Sequence, residues 1–78
     1  MARFDRLENV LPDFDEYPGS HDESFEDDFL KPRLKTLHPE ATLIRFCGGD
    51  RGYAGSYTNR TVQIWVNRTL TKSYKYGG

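Results

Sequence analysis

Cysteine and long apolar runs are the scarcest features of this sequence. Cys47 is the one cysteine among 78 residues, which excludes an internal disulfide and is typical of a reducing compartment. No window is apolar enough to span a bilayer, and the first ten residues lack the apolar run of a secretory signal. We therefore expect a cytoplasmic protein with no membrane contact.

Motifs for metal, cofactor or covalent chemistry are also lacking. The two histidines, His21 and His38, do not have the spacing to Cys47 that a zinc site requires. The segment Gly48 to Gly52 lacks the Lys-Ser/Thr ending of a phosphate loop, and the acidic run Asp22 to Asp28 lacks the spacing of an EF-hand. We expect no metal, no cofactor, no catalytic residue and no enzymatic activity.

Apolar residues are few for a globular protein, at 36% of the chain against 29% charged residues. A chain of this length buries only about 60% of the surface that its unfolded form exposes, so its core is small. Aromatic residues, at 14%, compensate in part because each ring buries a large area. The sequence predicts one folded domain at most.

The net charge of −1 hides a strong asymmetry. Residues 1–30 contain ten acids and two bases, a net charge of −8, whereas residues 31–78 contain nine bases and two acids, a net charge of +7. Such an asymmetry indicates either a polyionic partner or two halves of the chain that face each other.

The first 20 residues have a pattern of their own. Apolar residues between positions 4 and 14 recur at helical spacing, and Pro12 would end such a helix near Val10. An extended docking peptide with apolar anchors between acids is the alternative. Pro18 and Gly19 then mark a turn. We divide the chain into an acidic N-terminal arm or short helix, residues 1–20, and a single small α+β domain, residues 21–78.

A helix is predicted for the segment between His21 and His38. Phe25, Phe29 and Leu34 lie on one helical face, and acids near the start and bases near the end agree with the helix dipole. Pro32 predicts a kink or a division into two short helices.

The second half of the chain predicts short strands, near residues 43–47, 53–58, 61–67 and 70–76. In the third of these, Val62 and Ile64 should face the core, and Trp65 should face outward or against another layer. Alternation places Leu70 and Tyr74 on one face of the last strand. Closely spaced strands of this kind form antiparallel hairpins. The predicted fold is α+β, with one or two N-terminal helices packed on a three- to four-stranded antiparallel β-meander.

The acidic residues have two interpretations. They are either a solvated helix start or a surface that pairs with a basic groove on a partner protein, because fields of one sign steer encounter. On the second interpretation, reversing Glu23, Glu26 and Asp27 to lysine should abolish partner binding and leave the fold intact. The candidate partner-binding acids are Asp15, Glu16, Asp22, Glu23, Glu26, Asp27 and Asp28.

Bases and aromatic rings interleave in the second half, a composition that sheets use to bind single-stranded nucleic acid. The alternative is that these rings are ordinary core and rim residues and that the charges are scattered on an exposed face. The candidate contacts to a partner or to nucleic acid are Arg51, Tyr53, Tyr57, Arg60, Trp65, Arg68, Lys72 and Tyr74.

Small size, an acidic segment and exposed aromatic residues together favour a non-enzymatic protein-binding module. By analogy of class alone, this composition suggests a small phage or mobile-element inhibitor of host machinery, of the anti-CRISPR kind, which blocks a basic nucleic-acid channel or a docking site. The alternative function is a single-stranded nucleic-acid-binding domain that uses the basic aromatic sheet. Dimerisation through an exposed sheet edge is a further open alternative.

Overall fold

The computed structural model describes residues 5–52 and 55–77. In chain order, its elements are β1 (Asp5–Arg6), α1 (Leu7–Val10), a 3-10 turn (Phe14–Glu16), a π-helix (Phe25–Leu30), α2 (Lys31–Leu37), β2 (Leu43–Cys47), β3 (Asp50–Arg51), β4 (Tyr57–Thr58), β5 (Arg60–Val66) and β6 (Thr69–Tyr76). No helix in the described part of the chain has the length and apolar character needed to cross a membrane.

The strands form one mixed sheet in the order β1-β6-β5-β2, and β3 and β4 form a separate two-stranded ladder. The pairs β2–β5 and β5–β6 are antiparallel, whereas β1 runs parallel to β6, with Asp5 opposite Tyr74. The predicted α+β class is confirmed, but the purely antiparallel meander is wrong. The described part of the chain begins in the sheet, because a two-residue strand that precedes the helices pairs with the last strand.

The register of β5 and β6 changes between Ile64 and Trp65, where the antiparallel pairing contains a bulge. Before the bulge along β5, Val62 lies opposite Tyr74. After the bulge, Trp65 lies opposite Leu70. Residues directly opposite each other share a face of the sheet. Leu70 therefore shares a face with Trp65 and not with Tyr74, because the extra residue of a bulge shifts the alternation of the strand.

The helix before the sheet changes pitch at Pro32. Its first six residues, Phe25–Leu30, are π-helical, and its last seven, Lys31–Leu37, are α-helical. The backbone N–H of Lys31 donates to the carbonyl of Glu26, five residues back. Proline lacks an N–H and its ring crowds the carbonyl four residues earlier. The wider π-turn before Pro32 accommodates both effects, so the helix continues through Pro32 and does not divide into two short helices.

One face of the sheet packs against the helices and forms the core. Phe25, Leu30 and Leu34 from the helices and Val62 and Ile64 from β5 are buried. Burying each large apolar side chain contributes about 1.5–3 kcal/mol, so this cluster supplies most of the stability of so short a chain.

The N-terminal segment belongs to the same core. Leu7, Leu11 and Phe14 are buried in it, and the ring of Phe14 lies 5.7 Å from that of Tyr76 at the end of β6. The predicted division of the chain at residue 20 thus separates residues that pack together here.

Candidate functional site

The acidic and basic halves of the sequence meet each other within the fold. Five ion pairs join an acid of residues 1–30 to a base of residues 31–78. The pairs are Asp5–Lys72, Asp13–Arg33, Glu23–Arg51, Glu26–Arg60 and Asp27–Lys31. Of the two explanations that the sequence left open for the charge asymmetry, the structure contains the one in which the two halves face each other.

Glu26 is buried, with 3% of its surface exposed. The Arg60 guanidinium donates to both carboxylate oxygens, from Nε at 2.9 Å and from Nη2 at 3.3 Å. The Tyr76 hydroxyl donates to Oε2 at 2.6 Å. Glu26 therefore does not belong to the acidic surface that the sequence predicts. A triple reversal that includes it would place a lysine beside Arg60 in the core, which argues against a fold that survives this change.

Burial and a hydrogen bond keep the phenol of Tyr76, beside Glu26, in its neutral form. Burial of the phenol, and then its hydrogen bond to Glu26, raise the pKa of Tyr76 far above the usual value of 10.0. The Arg60 guanidinium also lies over the Tyr57 ring, 4.0 Å from the ring centroid. The cluster is thus a carboxylate held between one cation and one neutral phenol, an arrangement that stabilises its charge inside the core.

Two more of the predicted acids, Glu23 and Asp22, make contacts within the fold. Glu23 accepts a hydrogen bond from Tyr57 at 2.7 Å and pairs with Arg51, and these two contacts lower the pKa of Glu23. Asp22 accepts hydrogen bonds from the backbone N–H groups of Ser24 and Phe25 at the start of the helix.

The remaining acids define what is left of an acidic surface. Asp27 pairs with Lys31 one helical turn away, at 3.2 Å. Asp15, Glu16 and Asp28 are exposed, and no ion pair involves any of them in the described part of the chain. The acidic surface is therefore much smaller than the sequence suggests.

Most of the basic and aromatic residues predicted to contact a partner make contacts within the fold instead. Arg51, Tyr57, Arg60 and Lys72 take part in the contacts above. Tyr74 is buried, and its hydroxyl lies 2.6 Å from Nε2 of His38, so its ring is not on the surface. Tyr53 lies outside the described residues.

Two of the predicted contact residues, Trp65 and Arg68, lie away from these pairs. The indole N–H of Trp65 donates to the side chain of Gln63 at 3.2 Å. Arg68 is exposed in the turn between β5 and β6.

Trp65 belongs to the face of the sheet that the helices leave uncovered. We call this the outer face and define it by the strand positions that alternate away from the core. These positions are Leu43, Arg45, Cys47, Thr61, Gln63, Trp65, Leu70, Ser73 and Lys75. None of them is acidic.

An apolar row crosses the outer face. Leu43, Trp65 and Leu70 lie directly opposite one another on β2, β5 and β6. Leu43 is 53% exposed and Leu70 is 42% exposed, a large exposure for leucine. Sequence reasoning found Trp65 but missed both leucines. Alternation in β2 could have placed Leu43 outward, whereas the bulge that turns Leu70 outward leaves no mark in the sequence.

The residues considered for covalent or metal chemistry are dispersed. Cys47 is half-buried on β2. His21 stacks on Phe25 with ring centroids 4.1 Å apart, and His38 contacts Tyr74 and Glu40. Within residues 5–52 and 55–77, no group of three or more His, Cys, Asp or Glu side chains is placed to hold a metal ion.

Comparison with protein-family models, with curated proteins and with solved structures finds no match to this chain.

Proposed function

We propose that this chain is a non-enzymatic protein-binding module that docks through the outer face of its sheet. The observation that supports the proposal is the apolar row across three strands, in which Leu43 and Leu70 are exposed and Trp65 is half-buried. A contiguous apolar row on a small domain is typical of an interaction surface, and Trp is among the residues that most often dominate binding energy.

The charges of the outer face indicate the chemistry of the partner. Arg45 and Lys75 are its ionic residues, and Arg45 is exposed. A partner surface with an apolar centre and carboxylates at its rim would complement this arrangement, since complementary charges favour the correct partner and orientation. An inhibitor of host machinery, the role that analogy of class suggests, would act by occupying such a surface.

Docking through the acidic residues is a weaker version of the proposal. Of the predicted partner-binding acids, only Asp15, Glu16 and Asp28 are exposed and without an ion pair in the described part of the chain. The two versions make opposite predictions for variants, so one experiment separates them.

The experiment captures partners by cross-linking from an extract, with three forms of the chain as bait. The first is the wild type, the second is Leu43→Ser/Trp65→Ser/Leu70→Ser, and the third is Asp15→Asn/Glu16→Gln/Asp28→Asn. We expect the outer-face variant to lose the partner and the acidic variant to keep it. The reverse pattern would overturn outer-face docking in favour of the acidic version. Thermal unfolding of each bait checks that the replacements leave the fold intact.

Binding of single-stranded nucleic acid is the second candidate, because Trp65, Arg45 and Lys75 share one face. Its weakness is that Tyr74 and Tyr76 are buried, whereas single-strand binders stack successive bases on several rings. Fluorescence anisotropy with labelled DNA and RNA at about 50 and 200 mM salt tests it, because phosphate contacts weaken steeply over that range. We expect no salt-dependent binding. Steep salt dependence that is lost in Trp65→Ser would favour this candidate instead.

A further inference from the structure

The strand β2 leaves one edge of the sheet open. The sheet order ends at β2, which pairs with β5 on one side, and no other strand pairs with it in the described part of the chain. Proteins usually protect such an edge with proline, bulges, charges or very short strands. The opposite edge, β1, is only two residues long. β2 has five residues, Leu-Ile-Arg-Phe-Cys, with no proline and a single charge.

A groove runs beside this edge, between β2 and the helix formed by residues 25–37. Its volume is about 430 Å³. Leu43 and Ile44 line it from the strand, and Asp27, Lys31 and Lys35 line it from the helix. An extended segment that pairs with β2 would therefore have an apolar wall on one side and two lysines on the other.

The charges around the open edge of β2 indicate which kind of segment could pair with it. Lys31, Lys35 and Arg45 lie along it against the single acid Asp27, a net charge of 3 − 1 = +2. Lys31 pairs with Asp27, and Lys35 Nζ donates to the carbonyl oxygen of Ala41, so Arg45 is the main contribution of the strand itself to this charge. A second copy of the chain fits poorly. The symmetric antiparallel register that uses all five residues of β2 sets Arg45 opposite its own copy, and like charges directly opposite are destabilising. A segment rich in carboxylates meets no such repulsion.

We propose that β2 accepts an extended, acidic segment of the partner protein as an added strand. Main-chain hydrogen bonds along residues 43–47 would supply affinity, and the groove would select apolar side chains alternating with carboxylates. This inference builds on the proposed function, since it assumes a protein partner, and it specifies both the binding mode and the chemistry of that partner.

The test uses synthetic peptides as probes. The first is Glu-Val-Glu-Ile-Glu-Val-Glu with blocked ends, and the second has every Glu replaced by Lys. The third carries N-methyl groups on alternate residues of the first, which removes main-chain donors and keeps the side chains. Amide resonances of the full chain are followed by nuclear magnetic resonance during each titration.

We expect the acidic peptide to shift the amides of residues 43–47 and of Lys31 to Lys35. Loss of a main-chain hydrogen bond should weaken the N-methylated peptide by about two- to tenfold per donor. Arg45→Glu should weaken the acidic peptide by about two- to tenfold, in line with cross-strand charge pairs. The matched control is Arg68→Glu, an exposed arginine outside β2, which should bind like the wild type.

Several results would overturn strand addition at β2. They are equal binding of the acidic and lysine peptides, equal binding of the N-methylated peptide, and shifts confined to the Trp65 indole. Shifts of β2 amides with chain concentration alone would show that a second copy takes the edge. No peptide binding would also refute the inference, but it would leave the proposed function intact if the outer-face variant still loses a captured partner.

Discussion

Glu26 is the residue whose environment most constrains this fold. Its carboxylate is buried and accepts hydrogen bonds from Arg60 and Tyr76. Bringing two charges into a core is unfavourable unless hydrogen bonds satisfy both, and removing one partner then leaves the other charge without compensation. The pair therefore fixes how the helix and β5 meet.

Replacing Glu26 by Gln should lower the free energy of unfolding by about 3–5 kcal/mol, because the half-buried Arg60 would remain charged and lose its counter-ion. The matched control is Glu23→Gln, which breaks an exposed ion pair and should lower the free energy of unfolding far less, because solvent screens that pair. Urea denaturation measures both. If Glu26→Gln does not fold, Glu26→Leu/Arg60→Met should recover a folded protein, since it removes both charges. Equal effects of the two single variants would contradict this account of Glu26.

Tyr76 makes the stability of the protein sensitive to alkaline pH. Its pKa is raised in the folded state above the ordinary value of 10.0, so its contribution is complete below pH 10 and is lost as the pH rises above it. We expect the unfolding free energy to fall above about pH 10, and to fall less in Tyr76→Phe, which has no phenol to ionise. Urea denaturation at several alkaline pH values measures the difference. Identical pH profiles would refute this role.

At the scale of elements, the two tight connections around β2 and β4 depend on glycine in the left-handed region. Gly49 has φ +70 and Gly55 has φ +83. A Cβ at Gly49 would collide with the carbonyl oxygens of Thr58 and Asn59, whereas a Cβ at Gly55 meets no described atom within 4 Å. The two positions share the backbone strain but differ in available space.

Gly55→Ala should therefore destabilise the protein by about 1–2 kcal/mol through its backbone conformation alone. Gly49→Ala should lower the free energy of unfolding by about 1–3 kcal/mol more, because the loop must also shift to remove the overlap. Thermal unfolding of the pair measures the difference. Equal destabilisation would show that the loop after β2 is looser than described.

The elements also show what the sequence could predict. Alternation correctly places Val62 and Ile64 in the core and Trp65 on the other face, because β5 is long enough for a period of two to appear. The two-residue β1 has no such pattern, so its parallel pairing with β6 could not be foreseen. The bulge after Ile64 is equally hidden, since it arises from the pairing of two strands.

At the scale of the whole molecule, five of the ten acids of residues 1–30 form ion pairs with bases of residues 31–78. Composition could show that the halves are oppositely charged, but it could not say which acid meets which base, because most of the partners lie far apart in sequence. Glu26 and Arg60, for example, are 34 residues apart. Local features such as acids near a helix start could not distinguish the buried Glu26 from the exposed Asp28.

The helices leave the outer face of the sheet uncovered in the described part of the chain. Its apolar row and its two bases, Arg45 and Lys75, support a protein partner more than they support nucleic acid. We therefore propose that a partner protein covers Trp65 on the outer face.

The most direct test uses the fact that Trp65 is the only tryptophan. Labelling the chain with 5-fluorotryptophan gives a single fluorine resonance at the outer face, which can be followed by nuclear magnetic resonance as the captured partner is added. If the partner docks on the outer face, we expect the fluorine resonance of Trp65 to shift and broaden as the partner is added. The change should reach saturation at the stoichiometry of the complex. A resonance that stays unchanged in the saturated complex would contradict docking through the outer face.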